Sequence, residues 1–266
     1  MVTDVGPRGR RDSYSARTSM SRQAHLLAAV AAPVCIIVFG IGGVLLGGWL
    51  PPRIGPDDSA ETVASYYAQN TLPIRVGAVF AMISFGVIPV WGVAMAAQTS
   101  RKEGAFPVLT YVQVTCMAVG TAQIVLNTAL WATAAFRAGE VSPEITQMLN
   151  DAGFIIFLGT WIPFTVWAVA LGLSVLLDRS DLPVYPRWSG YLSIWVGIGY
   201  LPCATVWFFK DGPFGWQGIV CIGVPIIVFG IWLLTFSALT VRNVRAGFLH
   251  EQDLDDTPRM STRTPR

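Results

Sequence analysis

Three amides, Gln113, Gln123 and Asn127, stand inside the long apolar run 105–137 and are the side chains whose type and spacing could do chemistry. At about 100° per residue they share one narrow helical arc with Cys116 and Gly120. Val108, Val112, Val114, Ala118, Val119, Ala122, Val125, Leu126 and Ala129 cover the other side. An unpartnered amide in hydrocarbon costs several kcal/mol, so the arc is expected to face protein or a wet cavity and the valine side to face lipid. The chemistry on offer is hydrogen bonding. It would serve a polar network with the indole N–H groups of Trp161 and Trp167, which lie too deep for an interfacial belt, or a pocket for a small neutral molecule. The network is the preferred reading.

A second constellation is Arg75 with Asp58 and Glu61. An ion pair here would fasten a short outer helix over the entry to the second span, like a lid. The alternative is that Arg75 reaches along the span to a lipid phosphate. Glu140, Glu144 and Asp151 read as exposed carboxylates balanced by Arg137 rather than as a cation site.

Other site chemistry lacks its residues. No Asp, Glu, Lys or Arg falls in the middle of an apolar run, where a proton relay or ion path would need one. The two histidines, His25 and His250, lie at the ends of the apolar region, which leaves a haem without axial ligands. There is no HExxH, no Gly-rich phosphate loop and no nucleophile paired with a base. The reading is therefore of no catalytic residue, no metal site, no cofactor and no enzyme. The cysteines Cys35, Cys116, Cys203 and Cys221 sit within apolar runs without a CxxC pair, as buried small hydrophobes. Cys203 and Cys221 flank the 210–216 loop almost symmetrically, the one arrangement that admits a bond.

The elements that would position these residues follow from composition. Of 266 residues 53% are hydrophobic and 13% charged, with the charges gathered between apolar runs. Six runs reach bilayer length: about 26–50, 73–98, 105–137, 153–178, 188–209 and 217–241. The fold class is all-α, a polytopic membrane protein of six transmembrane helices with two short extracytoplasmic surface helices. One of these spans 58–70, with Asp58 as its cap and Glu61 completing a capping box; the other spans 142–151, with Ser142 as cap and Pro143 at the first position. Gly43 and Gly47 form a GxxxG step for close packing in the first span, and Pro33 should kink it. Residues 1–24 read as a disordered cytoplasmic arm, 25–242 as the transmembrane domain and 243–266 as a disordered cytoplasmic tail. Arg8, Arg10, Arg11, Arg17, Arg22, Arg101, Lys102, Arg179, Arg187, Arg242 and Arg245 mark one set of loops, which the positive-inside rule places in the cytoplasm together with both termini. That topology accounts for the arginine-rich start without nucleic acid as a partner.

Two segments carry a resemblance. Asn70-Thr71-Leu72-Pro73-Ile74-Arg75-Val76-Gly77 opens the second span, and Leu182-Pro183-Val184-Tyr185-Pro186-Arg187-Trp188-Ser189-Gly190-Tyr191 opens the fifth. Both, with the spacing of the spans over 24–245, resemble a bacterial family of six-helix integral membrane proteins of unknown function. The resemblance implies that fold and a bacterial inner (plasma) membrane, but no activity, cofactor or site residue. The preference for Arg over Lys, with abundant Ala, Val and Gly, suggests a GC-rich, actinobacterial type of genome. The functional expectation is a non-catalytic structural or accessory component, with a protein partner or a second copy beside it in the bilayer. Binding or transport of a small neutral or lipophilic molecule, such as a lipid, in a pocket beside the third span is the alternative.

Overall fold

The computed structural model describes the backbone of residues 7–246 and the side chains of residues 22–246. It is all-helical, with no β-strand among the described residues. The helices are α1 (Pro7–Phe39), α2 (Ala60–Gln69), α3 (Thr71–Glu103), α4 (Val108–Phe136), α5 (Pro143–Gly159), α6 (Ile162–Leu177), α7 (Arg187–Gly199) and α8 (Val224–Arg245). Four segments are wound differently: π-turns at Gly40–Leu46 and Ile219–Gly223, a 3-10 helix at Leu201–Trp207 and a short 3-10 turn at Gly212–Phe214. α1 already begins at Pro7, inside the expected arm, and α8 runs to Arg245; residues 1–6 and 247–266 lie outside the described residues.

Among the described residues, five stretches are long and apolar enough to cross a membrane: Arg22–Leu46, Thr71–Glu103, Val108–Phe136, Pro143–Leu177 and Gly212–Arg245. The fifth expected run, 188–209, is not one continuous α-helix. α7 stops after 13 residues at Gly199, and the chain tightens into the 3-10 helix. Pro202 explains the break, since it has no N–H to donate and its ring would collide with the carbonyl four residues back. The second short helix is also not separate: Ser142 and Pro143 start α5 as expected, but it runs on to Gly159. Its end is set by Pro163 at the start of α6 and by Thr160, whose hydroxyl donates to the Ile156 carbonyl at 2.8 Å.

α2 forms where the sequence placed it, with a different cap. Ser59 accepts from Thr62 N–H at 3.3 Å, while Asp58 is turned away to accept from Gly55 N–H at 2.7 Å. The more flexible Asp58 is therefore spent on the loop, and Glu61 takes no part in a box with it. α2 buries Val63 and Tyr67. The Tyr67 hydroxyl donates to Asn150 Oδ1 of α5 at 3.0 Å, and burial pushes its pKa above the usual phenol range.

The π-turn after α1 approaches α3 with Gly42 and Gly47 against Gly77, while Gly43 of the expected pair takes no part. A Cβ on Gly77 would stand 2.5 Å from the Gly42 carbonyl oxygen and 2.8 Å from Gly47 N, both backbone atoms. A Cβ on Gly43 would instead meet Phe39 of its own helix, at 2.6 Å. The four cysteines are free thiols, so no bond joins Cys203 and Cys221.

At the centre stand three indoles on three helices, Trp91 (α3), Trp167 (α6) and Trp232 (α8). Each is at most 1% exposed and they meet edge to face at centroid distances of 5.8, 5.3 and 5.0 Å. Trp232 N–H donates to Ser193 Oγ of α7 at 2.9 Å, and Ser193 donates to the Ala168 carbonyl of α6 at 2.7 Å. This chain ties α6, α7 and α8 around one point.

Candidate functional site: an apolar cavity between the helix breaks

The amide arc of α4 faces inward. Gln113, Gly120, Gln123 and Asn127 are buried, whereas Val108, Val119 and Leu126 on the other side are more than half exposed. Its hydrogen bonds go to the protein. Gln113 Nε2 donates to Ser174 Oγ of α6 at 3.1 Å and to Thr99 Oγ1 of α3 at 3.5 Å. Gln123 Nε2 donates to the carbonyls of Ile156 and Phe157 at 3.0 and 3.4 Å, at the end of α5 where carbonyls lose their helical partners. Asn127, with its amide oriented by its neighbours, turns back on its own helix: the NH2 donates to Gln123 and Ile124 carbonyls at 3.2 and 2.9 Å, and the oxygen accepts from Thr128 N–H at 3.1 Å.

The expected bonds from this arc to Trp161 and Trp167 do not form. Trp167 is enclosed by the other two indoles, and its N–H and that of Trp91 are sealed in the packing without a partner. Trp161 sits at the α5–α6 break and bonds to none of the amides. What the arc does reach, through Ser174, is Glu103 at the end of α3. Glu103 Oε2 accepts from Leu109 and Thr110 N–H at 2.8 and 3.2 Å, capping α4, and Oε1 accepts from Thr110 and Ser174 hydroxyls at 2.7 and 3.3 Å. The S/T/D/N cap signature did not reveal it because the cap comes from the preceding helix, across the turn.

The arc is thus structural, and its two deeper amides are replaceable. Gln123→Leu with Asn127→Leu removes donors whose acceptors are carbonyls, one set of them already within a helical ladder. We expect the double variant to unfold within about 1 kcal/mol of wild type in a detergent denaturation series. A loss of about 3 kcal/mol or more would mean that these amides hold something else in place.

The proposed lid pair is also absent. Arg75 does not pair with Asp58 or Glu61; its guanidinium lies over the Phe136 ring of α4 at 5.2 Å. Arg137 covers the same ring at 5.2 Å and pairs with Glu140 at 2.9 Å. A cation over an aromatic face keeps Arg75 at the α3–α4 seam and leaves α2 fastened through Tyr67.

The concave site lies next to the arc, not on it. It is a cavity of about 290 Å³, near the lower end of the size range of ligand pockets, roughly 300–1,000 Å³. Ile124 is the residue of α4 that faces it; Phe157 and Trp161 close it from the α5–α6 break, and Phe85 from α3. Phe39 and Gly40 line it where α1 passes into its π-turn, Pro225 and Phe229 from the first two turns of α8, and Tyr200 and Cys203 where α7 passes into the 3-10 helix. Three departures from α-helical winding, the first π-turn, the 3-10 helix and the α5–α6 break, therefore border one cavity. Interruptions of this kind free backbone groups and cost stability, and they concentrate at functional sites. Two larger recesses, about 590 and 770 Å³, are open grooves on the flank of the bundle, one beside Arg75 and one beside Arg242 and Arg245.

Among the described residues lining the cavity there is no carboxylate, imidazole, ammonium or guanidinium. It can offer contact area, aromatic faces and few hydrogen bonds. Sequence reading missed it because its wall is composed of ordinary Ile, Leu, Phe and Gly positions. The nearest legible signals were the prolines 163, 202 and 225, each at a helix break. Gly40 of the first π-turn and Gly230 of α8 both line the wall, and a Cβ added to either would meet nothing within 4 Å. No group of His, Cys, Asp or Glu among the described residues is arranged to hold a metal.

Comparison of the chain with protein-family models, with curated proteins and with solved structures returned no match.

Proposed function

We propose that this chain is a non-catalytic multi-pass membrane protein that binds a neutral, lipophilic small molecule in the cavity between α1, α3, α4, α5, α6, α7 and α8. The observation that carries this is the convergence of the first π-turn, the 3-10 helix and the α5–α6 break on a single apolar space. A purely structural bundle gains nothing from three interruptions around one space. The NH2 groups of the amide arc all donate to the protein, and none of the three amides lines the cavity, which is left to be explained separately.

In this proposal the membrane is a bacterial inner membrane, crossed six times. The 13 residues of α7 rise about 20 Å at 1.5 Å each, and the 7 residues of the 3-10 helix a further 14 Å or so at about 2 Å each. Together they match the ~30 Å hydrocarbon layer, which makes 187–207 long enough to be the sixth crossing. An even number of crossings puts both ends of the chain on one side. The loops carrying Arg101, Lys102, Arg179 and Arg187 favour the cytoplasm for that side. The bacterial family of six-helix membrane proteins that segments 70–77 and 182–191 resemble has this same outline. α2 and the start of α5 then stand on the outer face.

The test uses the two glycines at the edge of the wall. Leucine at Gly40 and Gly230 places side chains where space is open, and it raises helix propensity rather than lowering it. We expect native mass spectrometry of wild-type protein extracted in mild detergent to show a bound lipophile. The Gly40→Leu, Gly230→Leu variant should retain at least about tenfold less of it while its melting temperature stays within a few degrees. Wild-type protein that carries no lipophile and takes none up from added lipid extract would overturn the reading.

A further inference from the structure

One polar group in the cavity wall has no work to do within the protein. Tyr200 ends α7 and starts the 3-10 helix; it is 7% exposed and its ring packs against Phe164 and Phe229 at centroid distances of 5.8 and 6.3 Å, both of which line the cavity with it. Its backbone carbonyl is held by Cys203 N–H at 3.0 Å. Among the described residues, the other tyrosines buried to this degree spend their hydroxyls on the protein: Tyr67 on Asn150 and Tyr185 on Thr240. The Tyr200 hydroxyl makes no hydrogen bond. It is also not sealed among side chains as the N–H groups of Trp91 and Trp167 are, so it remains open to the space it borders. Leaving a hydroxyl unpaired in an apolar surrounding is unfavourable by a few kcal/mol, a cost that a bound oxygen atom would remove.

On the basis of the ligand-binding reading above, we propose that the occupant is an uncharged ring compound carrying a carbonyl oxygen, and that Tyr200 is the residue that selects it by donating a hydrogen bond. The size follows from the volume. An apolar cavity of ~150 Å³ holds benzene, and this one, at about 290 Å³, holds a two-ring system. The neutrality follows from the wall, which has no charge to pair with an ionic ligand. The single accepting oxygen follows from the scarcity of donors. Besides Tyr200, only Trp161 brings an N–H without a protein partner to the lining. The route in is lateral, from the lipid between α1 and α8, because Gly40 and Gly230 leave that edge without side chains.

The matched probes are 2,3-dimethyl-1,4-naphthoquinone and 2,3-dimethylnaphthalene, which differ in the two carbonyl oxygens. Methyl groups at both reactive ring carbons keep the cavity thiols of Cys35 and Cys203 from adding to the quinone. Binding of each to the full-length protein in lipid nanodiscs is measured by native mass spectrometry against empty discs. We expect the quinone to bind about tenfold more tightly than the hydrocarbon, and Tyr200→Phe to erase that gap while leaving hydrocarbon binding within about twofold. Equal binding of the two probes, or a gap that survives Tyr200→Phe, overturns the role of Tyr200 and leaves the cavity reading standing. Absence of binding by either probe overturns the ligand class. If wild-type protein also takes up no lipophile from lipid extract, the cavity reading falls with it. Where Tyr200→Phe fails to fold, the infrared carbonyl stretch of the quinone bound to wild type decides: a shift to lower wavenumber supports the hydrogen bond, and an unshifted band overturns it.

Discussion

Gly77→Leu is expected to abolish the folded protein, or to lower its unfolding free energy by about 3 kcal/mol or more, at the top of the range for overpacked cores. The reason is the identity of the atoms in the way. The first side-chain carbon would stand 2.5 Å from the Gly42 carbonyl and 2.8 Å from Gly47 N, and neither can rotate aside as a side chain would. Relief would require α1 and its π-turn to move away from α3 as a body, opening the seam that also carries the Cys35–Ser84 contact at 2.9 Å. Gly77→Ala should lie between wild type and Gly77→Leu, because even a methyl group meets the same two backbone atoms. Gly86→Leu is the control on the same helix, since a Cβ there meets nothing within 4 Å. The series is read by thermal and denaturant unfolding in one detergent. A Gly77→Leu protein as stable as Gly86→Leu would show that α1 and α3 are not held at this distance.

Trp232→Ala should cost about 3–5 kcal/mol, the usual range for removing a large buried aromatic. Two neighbouring indoles lose an edge-to-face partner at 5.0 and 5.3 Å, and three helices lose their common contact point. Ser193 keeps its bond to the Ala168 carbonyl, so the deficit is packing rather than a stranded hydroxyl. Trp232→Phe separates the two contributions: it keeps a ring but drops the N–H to Ser193, for an expected loss of about 1–2 kcal/mol. Trp195→Ala, at a site 67% exposed, should change little. If Trp232→Ala and Trp195→Ala shift the unfolding midpoint equally, the indole cluster is not the centre of the core.

The parts of this architecture that were legible before the structure are those written in periodicity. The α4 arc of Gln113, Gly120, Gln123 and Asn127 against Val108, Val119 and Leu126 can be read from a helical wheel, and its burial follows from the cost of an amide in hydrocarbon. The Ser142-Pro143 start of α5 is equally local. What was not legible depends on which atom wins a competition between neighbours. Asp58 and Ser59 are both good caps, and only the position of Gly55 decides that Asp58 is drawn off to the loop. Gly42, Gly43 and Gly47 satisfy the same small-residue pattern, and only the packing of α3 decides that Gly42 and Gly47, not Gly43, meet Gly77. Arg75 had acidic residues within plausible reach, yet an aromatic face across the seam took it. The cavity was least legible of all, because it is a space bounded by seven helices and no residue type announces a space.

The burial of the cysteines has a practical consequence. Cys35, Cys203 and Cys221 are buried and Cys116 lies half-buried along α4. A water-soluble maleimide has little to attack in the folded wild-type protein, so the native chain is already a quiet background for site-directed labelling. A cysteine introduced at exposed Ser180 or at Glu61 should be the dominant reactive thiol in its variant. In inverted and right-side-out vesicles these two positions would take the reagent from opposite faces, giving the chain its orientation without the removal of a single native residue.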